Sequence, residues 1–220
     1  MSILRIDWFR SDTMWLIEKL SLYLTVMEKA ITEGRSNDRE RIARIEINSA
    51  DDFDDQMEEL HRHELLFEKD FPSKLRYSFL VMSYILFESR SKALCAELIH
   101  RKIIEGKRLE LKGDEALPRS VRRFFESEPN KVTFIKTSVW TELSDLNALR
   151  NCIVHGNGDV ENWGKRPRVM QIIHKNKARG LSVTGDGFLQ VEADYCRKVV
   201  EVNKQFFHTV FEETGFGPAD

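Results

Sequence analysis

Pro72-Ser73-Lys74-Leu75-Arg76-Tyr77-Ser78-Phe79-Leu80-Val81-Met82-Ser83-Tyr84-Ile85-Leu86-Phe87-Glu88 is the stretch that decides the fold. Its apolar run, Tyr77 to Phe87, is bounded by Arg76 and Glu88 and is too short to span a bilayer. It is apolar nearly all round, which predicts a helix buried at the centre of a bundle. Pro72 suits a first helical turn, so the central helix is expected from Ser73 to about Ile104, the longest in the chain.

Helical period continues on both sides. Leu16, Leu20, Tyr23, Met27 and Ile31 share a stripe, with Ser11 as the expected N-cap and Gly34 as the expected stop. Ser36 to Arg44 then reads as a connection. A second helix is expected from about Ser49, with Asp51, Asp52, Asp54 and Asp55 in its first turn and Phe53, Met57 and Leu60 on its apolar face. Gly106 to Pro118 reads as a polar connection, followed by a short helix through Val121, Phe124 and Phe125. A helix from about Ser138 to His155 comes next. Arg168–His174 and Leu181–Thr184 read as strands, and Gly185-Asp186-Gly187 turns into Phe188–Val191. Tyr195, Val199, Val202, Phe206 and Val210 mark a last helix ending at Gly215. The fold expected is mostly α: a helical bundle with a small β-hairpin insert before the last helix. One domain over residues 1–220 accommodates it, with 73–213 as the core and 1–72 as helices packed on it.

Charge and composition narrow the function. A net charge of -2 over 220 residues argues against a general polyanion binder, so any nucleic-acid contact must be local. Cys95, Cys152 and Cys196 are odd in number, far apart and in apolar company. They predict reduced thiols in a cytoplasmic protein, with neither a disulfide framework nor a zinc site. Arg5, Asp7 and Arg10 interrupt the N-terminus as a signal peptide. No phosphate-cradling Gly-rich loop, HExxH or GxSxG pattern is present, and no metal or cofactor is expected.

Chemistry concentrates in Arg150-Asn151-Cys152-Ile153-Val154-His155-Gly156-Asn157-Gly158. On a helix, Val139, Leu143, Leu146 and Ile153 define a buried stripe, and Arg150 falls near its middle. A buried arginine demands a counter-charge. Two partners fit: a phosphate, which its planar fork grips, or Glu88 in a structural ion pair. Asn151 and His155, four apart, share another edge. Gly156 fits the helix stop, leaving His155 in the last turn, either as a proton-transfer group or as a mere C-cap. Arg168 to His174 also matches the loose pattern of Arg, four to six residues, then His, but in an expected strand. Arg166, Arg168, Lys175 and Lys177 make the hairpin region basic, fitting either an RNA backbone or a solvated hairpin with guarded edges. His61-Arg62-His63 reads as a solvated helix face.

Leu149-Arg150-Asn151-Cys152-Ile153-Val154-His155-Gly156 resembles the signature of the HEPN superfamily, small helical-bundle proteins of bacterial toxin and anti-phage systems. Phe71 to Phe79, continuing through Phe87-Glu88 and Leu94-Cys95, resembles the long helix of its stand-alone members. The likeness spans about residues 73–213 and is sharp at 150–155. It implies a metal-independent endoribonuclease with a composite site across a homodimer, built on Arg150, Asn151 and His155, with Glu88 as a supporting acid. It also implies an RNA substrate and a cognate antitoxin or defence-system partner; the short apolar run at Tyr77–Phe87 leads to the expectation of no membrane. In members paired with a nucleotidyltransferase antitoxin a tyrosine stands two places after the histidine. Here that place is Asn157.

Overall fold

A computed structural model of the chain describes residues 7–43, 57–58, 60–61, 65–104, 109, 117–126 and 138–216. Helices α1 (Trp8–Ile42), α2 (Phe71–His100), α3 (Leu117–Glu126), α4 (Val139–Gly156), α5 (Arg166–Lys175) and α6 (Ala193–Glu213) carry most of it. A π-helical turn, Leu65–Asp70, leads into α2, and a 3₁₀ turn, Lys177–Arg179, follows α5. Strands β1 (Leu181–Val183) and β2 (Leu189–Val191) form an antiparallel hairpin, with Leu181 opposite Val191. The mostly α bundle with a hairpin before its last helix is the architecture expected.

α2 is the central helix. It packs against α1, α3, α4, α6 and β2. Phe79, Leu80, Phe87, Leu94, Cys95 and Leu98 are buried on its several sides. Aromatic rings fill the crossing of α2, α4 and α6: Phe87 meets Phe206 edge-on at 5.3 Å, and Trp140 meets Phe206 at 5.3 Å. Each such fully buried ring contributes roughly 2–3 kcal/mol through lost apolar surface. One hydrophobic cluster runs from Ile17 to Phe216.

Three expectations are corrected. α1 is longer than expected at 35 residues, exceeding α2 at 30. Its N-cap is Asp7, whose carboxylate accepts from the N–H groups of Phe9 and Arg10, not Ser11. It runs through Gly34 and the expected Ser36–Arg44 connection as far as Ile42. A helical glycine costs only about 1 kcal/mol. Arg35 and Arg39, both ion-paired with Glu68 before α2, hold the extension in place.

Arg168–His174 is helical rather than a strand. Val169, Ile172 and Ile173 are its buried residues, at i, i+3 and i+4, a helical period that the β-branched content disguised. Pro167 sits in its first turn. The hairpin therefore consists of β1 and β2 alone.

α3 opens at Leu117, so the connection expected to reach Pro118 stops short of it. Most of the helix expected from Ser49 lies outside the described residues, as do Arg62 and His63. Met57, placed on that helix's apolar face, is exposed, as is His61.

Arg76, read from the sequence only as the border of the apolar run, is 5% exposed. Its guanidinium bonds both carboxylate oxygens of Glu28 on α1 (2.8 and 2.9 Å), Glu192 before α6 (2.8 Å) and the Val191 carbonyl (3.1 Å). A charge so placed is tolerable because its donors are satisfied on several sides.

Candidate functional site

The motif lies on the C-terminal half of α4. In the first half the buried side chains are Val139, Trp140, Leu143, Asp145 and Leu146; in the last they are Leu149, Cys152 and Ile153. The buried face swings round the helix as its neighbours change, and Arg150 ends at the margin of that face, half-buried.

No carboxylate lies within ion-pair distance of Arg150 among the described residues. Glu88 is not its partner: it bonds Lys92, one turn along α2, at 2.6 Å. Arg150 instead lies over the ring of Tyr84, with 5.5 Å from guanidinium carbon to ring centroid. Its Nη1 donates to Asn151 Oδ1 at 2.8 Å, while its buried Nε has no hydrogen-bond partner among the described residues. Asn151 thus faces the guanidinium rather than the histidine. Burial, reinforced by Glu88, pushes the Tyr84 phenol up, and Arg150 opposes that shift. The result is a cation held on an aromatic platform and an amide, without a counter-anion. His155 is exposed in the last turn, and its imidazole makes no hydrogen bond among the described residues.

The helix end differs from the expectation. Gly156 is still helical, and Asn157 takes the left-handed conformation at φ 52°. Asparagine is among the few side chains that adopt it readily. The Asn157 and Gly158 N–H groups both turn back to the Cys152 carbonyl. Gly156 instead makes room for a ring: a Cβ there would lie 3.0 Å from Trp163. Lys74 on α2 donates to Asn157 Oδ1 at 2.9 Å.

The β-hairpin clamps the loop that follows. Leu189 N–H donates to the Gly158 carbonyl (2.8 Å), and Val160 N–H to the Gly187 carbonyl (3.0 Å). Asp159 bridges to Phe188 as an isolated strand pair. The Tyr77 hydroxyl donates to the Leu189 carbonyl, tying the clamp to α2. Tyr77 and Tyr84 are seven residues apart, two helical turns, so one edge of α2 supports both the motif helix and its exit loop. That seven-residue spacing of tyrosines is visible in the sequence and is the signal that marks this edge.

The basic residues of this region are largely engaged. Arg168 and Lys175, each on α5, ion-pair with Asp145 of α4, which is buried, and Arg166 pairs with Glu161. Lys177 is exposed in the 3₁₀ turn. The Arg168–His174 pair lies on a helix as well, so helical context does not set the motif apart from it. Its arginine is neutralised by Asp145; Arg150 has no such partner. Cys152, inside the motif, is buried, and burial pushes its thiol up to about 11, with Asp159 adding to the shift.

Comparison with protein-family models, with curated proteins and with solved structures found no match. Among the described residues, no group of three or more His, Cys, Asp or Glu side chains is placed to hold a metal ion, and no helix is long and apolar enough to cross a membrane.

Proposed function

We propose that this chain is a metal-independent endoribonuclease of the HEPN type, a toxin or anti-phage effector that cleaves RNA at a site composed across a homodimer. The observation that carries the reading is Arg150: a half-buried guanidinium with an unused Nε and no carboxylate partner. A cation in that position is stabilised by an anion from outside, and a planar fork suits a phosphodiester. His155 and Arg150, five residues apart, point about 140° apart on one helix and cannot both attend one phosphate in one copy. A two-fold axis near the ends of two motif helices would bring Arg150 of one copy beside His155 of the other. Val154, between them and 47% exposed, would lie in that contact.

In this site one His155 takes the proton of the ribose 2′-OH as the 2′-oxygen attacks the adjacent phosphorus. The P–O5′ bond breaks, the other His155 protonates the departing O5′, and the products carry a 2′,3′-cyclic phosphate and a 5′-OH. Arg150 stabilises the charge on the phosphate oxygens, and Asn151 holds the guanidinium in place. Glu88, bonded to Lys92, acts at most through the Tyr84 platform.

The test is cleavage of a single-stranded RNA by the purified chain in EDTA, with the new ends analysed. Cyclic-phosphate ends from the parent, lost in His155→Ala, support the reading. No cleavage by the parent, or cleavage that depends on Mg²⁺, overturns it. A second reading, a non-catalytic dimeric module that binds RNA, a nucleotide or a partner protein, is favoured by the imidazole of His155, which nothing orients within one copy. Under it, RNA or nucleotide binding falls with Arg150→Ala and is untouched by His155→Ala.

A further inference from the structure

α1 is apolar on two sides. Its inner stripe, Ile17, Leu20, Leu24, Met27 and Ile31, is buried in the core. Roughly 150° around the helix, Trp8, Trp15, Leu22 and Val26 fall within about 40° of one another. They are 77%, 52%, 54% and 58% exposed. A helix apolar on both sides is normally covered on both. Two tryptophans and two aliphatic residues in a line of about 27 Å form a seam, with none of the scatter of single exposed side chains. The spacing of seven between Trp8, Trp15 and Leu22, and of four to Val26, is that of a two-helix interface.

The charges along the seam select the occupant. Asp12, Lys19 and Lys29 lie on or beside it, with Glu18 and Glu33 near, and Lys19 sits over the Trp15 ring at 5.1 Å. This mixed set offers no attraction to an anionic lipid surface, which favours basic helices. Parallel self-pairing would set Asp12 against Asp12, Lys19 against Lys19 and Lys29 against Lys29. Antiparallel pairing about a two-fold axis beside Leu20 and Ser21 sets Trp15 against Val26 of the partner subunit, Lys19 along Leu22 of the partner subunit, and Asp12 against Lys29 of the partner subunit. Each contact occurs twice. The Lys29 ammonium is available for it, being held only by an exposed 3.5 Å pair with Glu33.

We propose that the outer face of α1 is a self-association surface, on which a second copy of this chain lays its own α1 antiparallel. The surface is separate from the motif: α1 and α4 each pack on α2 and α6 and not closely on one another.

The test is the solution mass of the full chain at micromolar concentration, by sedimentation equilibrium, with a melting curve for every variant. Trp15→Glu with Val26→Glu should halve the mass and leave the melting curve in place, since both side chains are more than half exposed. Lys29→Asp alone should raise the dissociation constant about tenfold, and Asp12→Lys with Lys29→Asp should restore it. Asp12 also pairs with Arg90 of its own chain, so the melting curve of the double variant is read against that of Asp12→Lys. A strictly monomeric parent, an unchanged mass in the double glutamate variant, or no restoration by the swapped pair overturns the proposal. So does binding of the parent to phosphatidylserine vesicles that the glutamate variant lacks. Val154→Glu keeps the two interfaces apart: with both surfaces in use each variant halves the mass, halving by Val154→Glu alone overturns the proposal, and halving by the α1 variant alone upholds it and removes the motif-helix dimer of the proposed function.

Discussion

Arg150 rests on the Tyr84 ring and on Asn151 Oδ1, which decides what its removal costs. Periodicity places it mid-stripe with a phosphate or Glu88 as its counter-charge, and in the second case loss of the guanidinium would strand a buried acid. Glu88 is instead satisfied by Lys92. Arg150→Ala is therefore expected to cost only about 1 kcal/mol, the worth of its contact with Tyr84, and to melt within a few degrees of the parent. Paired with His155→Ala, whose side chain is exposed, it separates chemistry from folding. Under the ribonuclease reading both variants keep their melting curve and dimer mass and lose RNA cleavage by about 10²-fold or more. Retained cleavage in both would remove the site. The cysteines yield a second expectation. Cys95, Cys152 and Cys196 are buried, and burial pushes the Cys196 thiol up to about 12 and the Cys152 thiol to about 11. Thiolate is the reactive form, so a colorimetric disulfide reagent at neutral pH should find no fast-reacting thiol in the native chain and all three cysteines after denaturation. A rapidly modified native thiol would contradict the packing around α4 and α6. Which residues are buried was legible in the sequence from their apolar period. Which acid meets which base was not, because long charged side chains reach across neighbours that periodicity does not specify.

The elements carry a second pair of expectations. Gly158 sits at φ 81°, and a Cβ there would fall 2.4 Å from the buried Tyr77 hydroxyl. Gly158→Ala is expected to cost about 2–3 kcal/mol by combining backbone strain with that clash, and to lower the melting point by several degrees. An unchanged melting point would mean that the clamp between the hairpin and the motif loop does not hold. On α5, Arg168 and Lys175 share the buried carboxylate of Asp145. Replacing both with glutamine leaves that carboxylate without a cation, at a cost of about 1–3 kcal/mol, while Lys177→Gln leaves the melting point in place. Any loss of RNA binding in the first variant is then read beside its loss of stability, whereas the salt dependence of binding in Lys177→Gln reports on phosphate contact alone. Equal melting points for the two variants would return Arg168 and Lys175 to free surface. α2, α4 and α6 were legible because each combines a clear apolar period with a proline or glycine boundary. α5 was not: ten residues rich in valine and isoleucine satisfy a strand pattern until their i, i+3, i+4 burial is seen. The overrun of α1 past Gly34 depends on Glu68, more than thirty positions away, and no local signal reports it.

Across the whole molecule, the bundle and its late hairpin could be read from the order of periodic segments, whereas the pairing of α1 with α6 could not. Those two helices pack together, and Arg76 joins Glu28 of α1 to Glu192 at the entrance of α6. That closure has a consequence during synthesis. About 150 residues separate the end of α1 from α6, so at ribosomal rates the inner stripe of α1 waits roughly 8–30 s for its far-sequence partner. Until then a nascent chain carries a long helix apolar on both sides, whose inner stripe α2 covers only in part. The Arg76 cation, with Glu192 not yet made, also lacks one of its two anions. Ribosome-stalled chains ending before α6 should accordingly be cut readily within α1 by a dilute protease, and chains extended far enough to free α6 from the exit tunnel should resist. Tertiary closure of the motif helix against α6 belongs to that same late moment, so the motif site is completed only after α6 has left the exit tunnel.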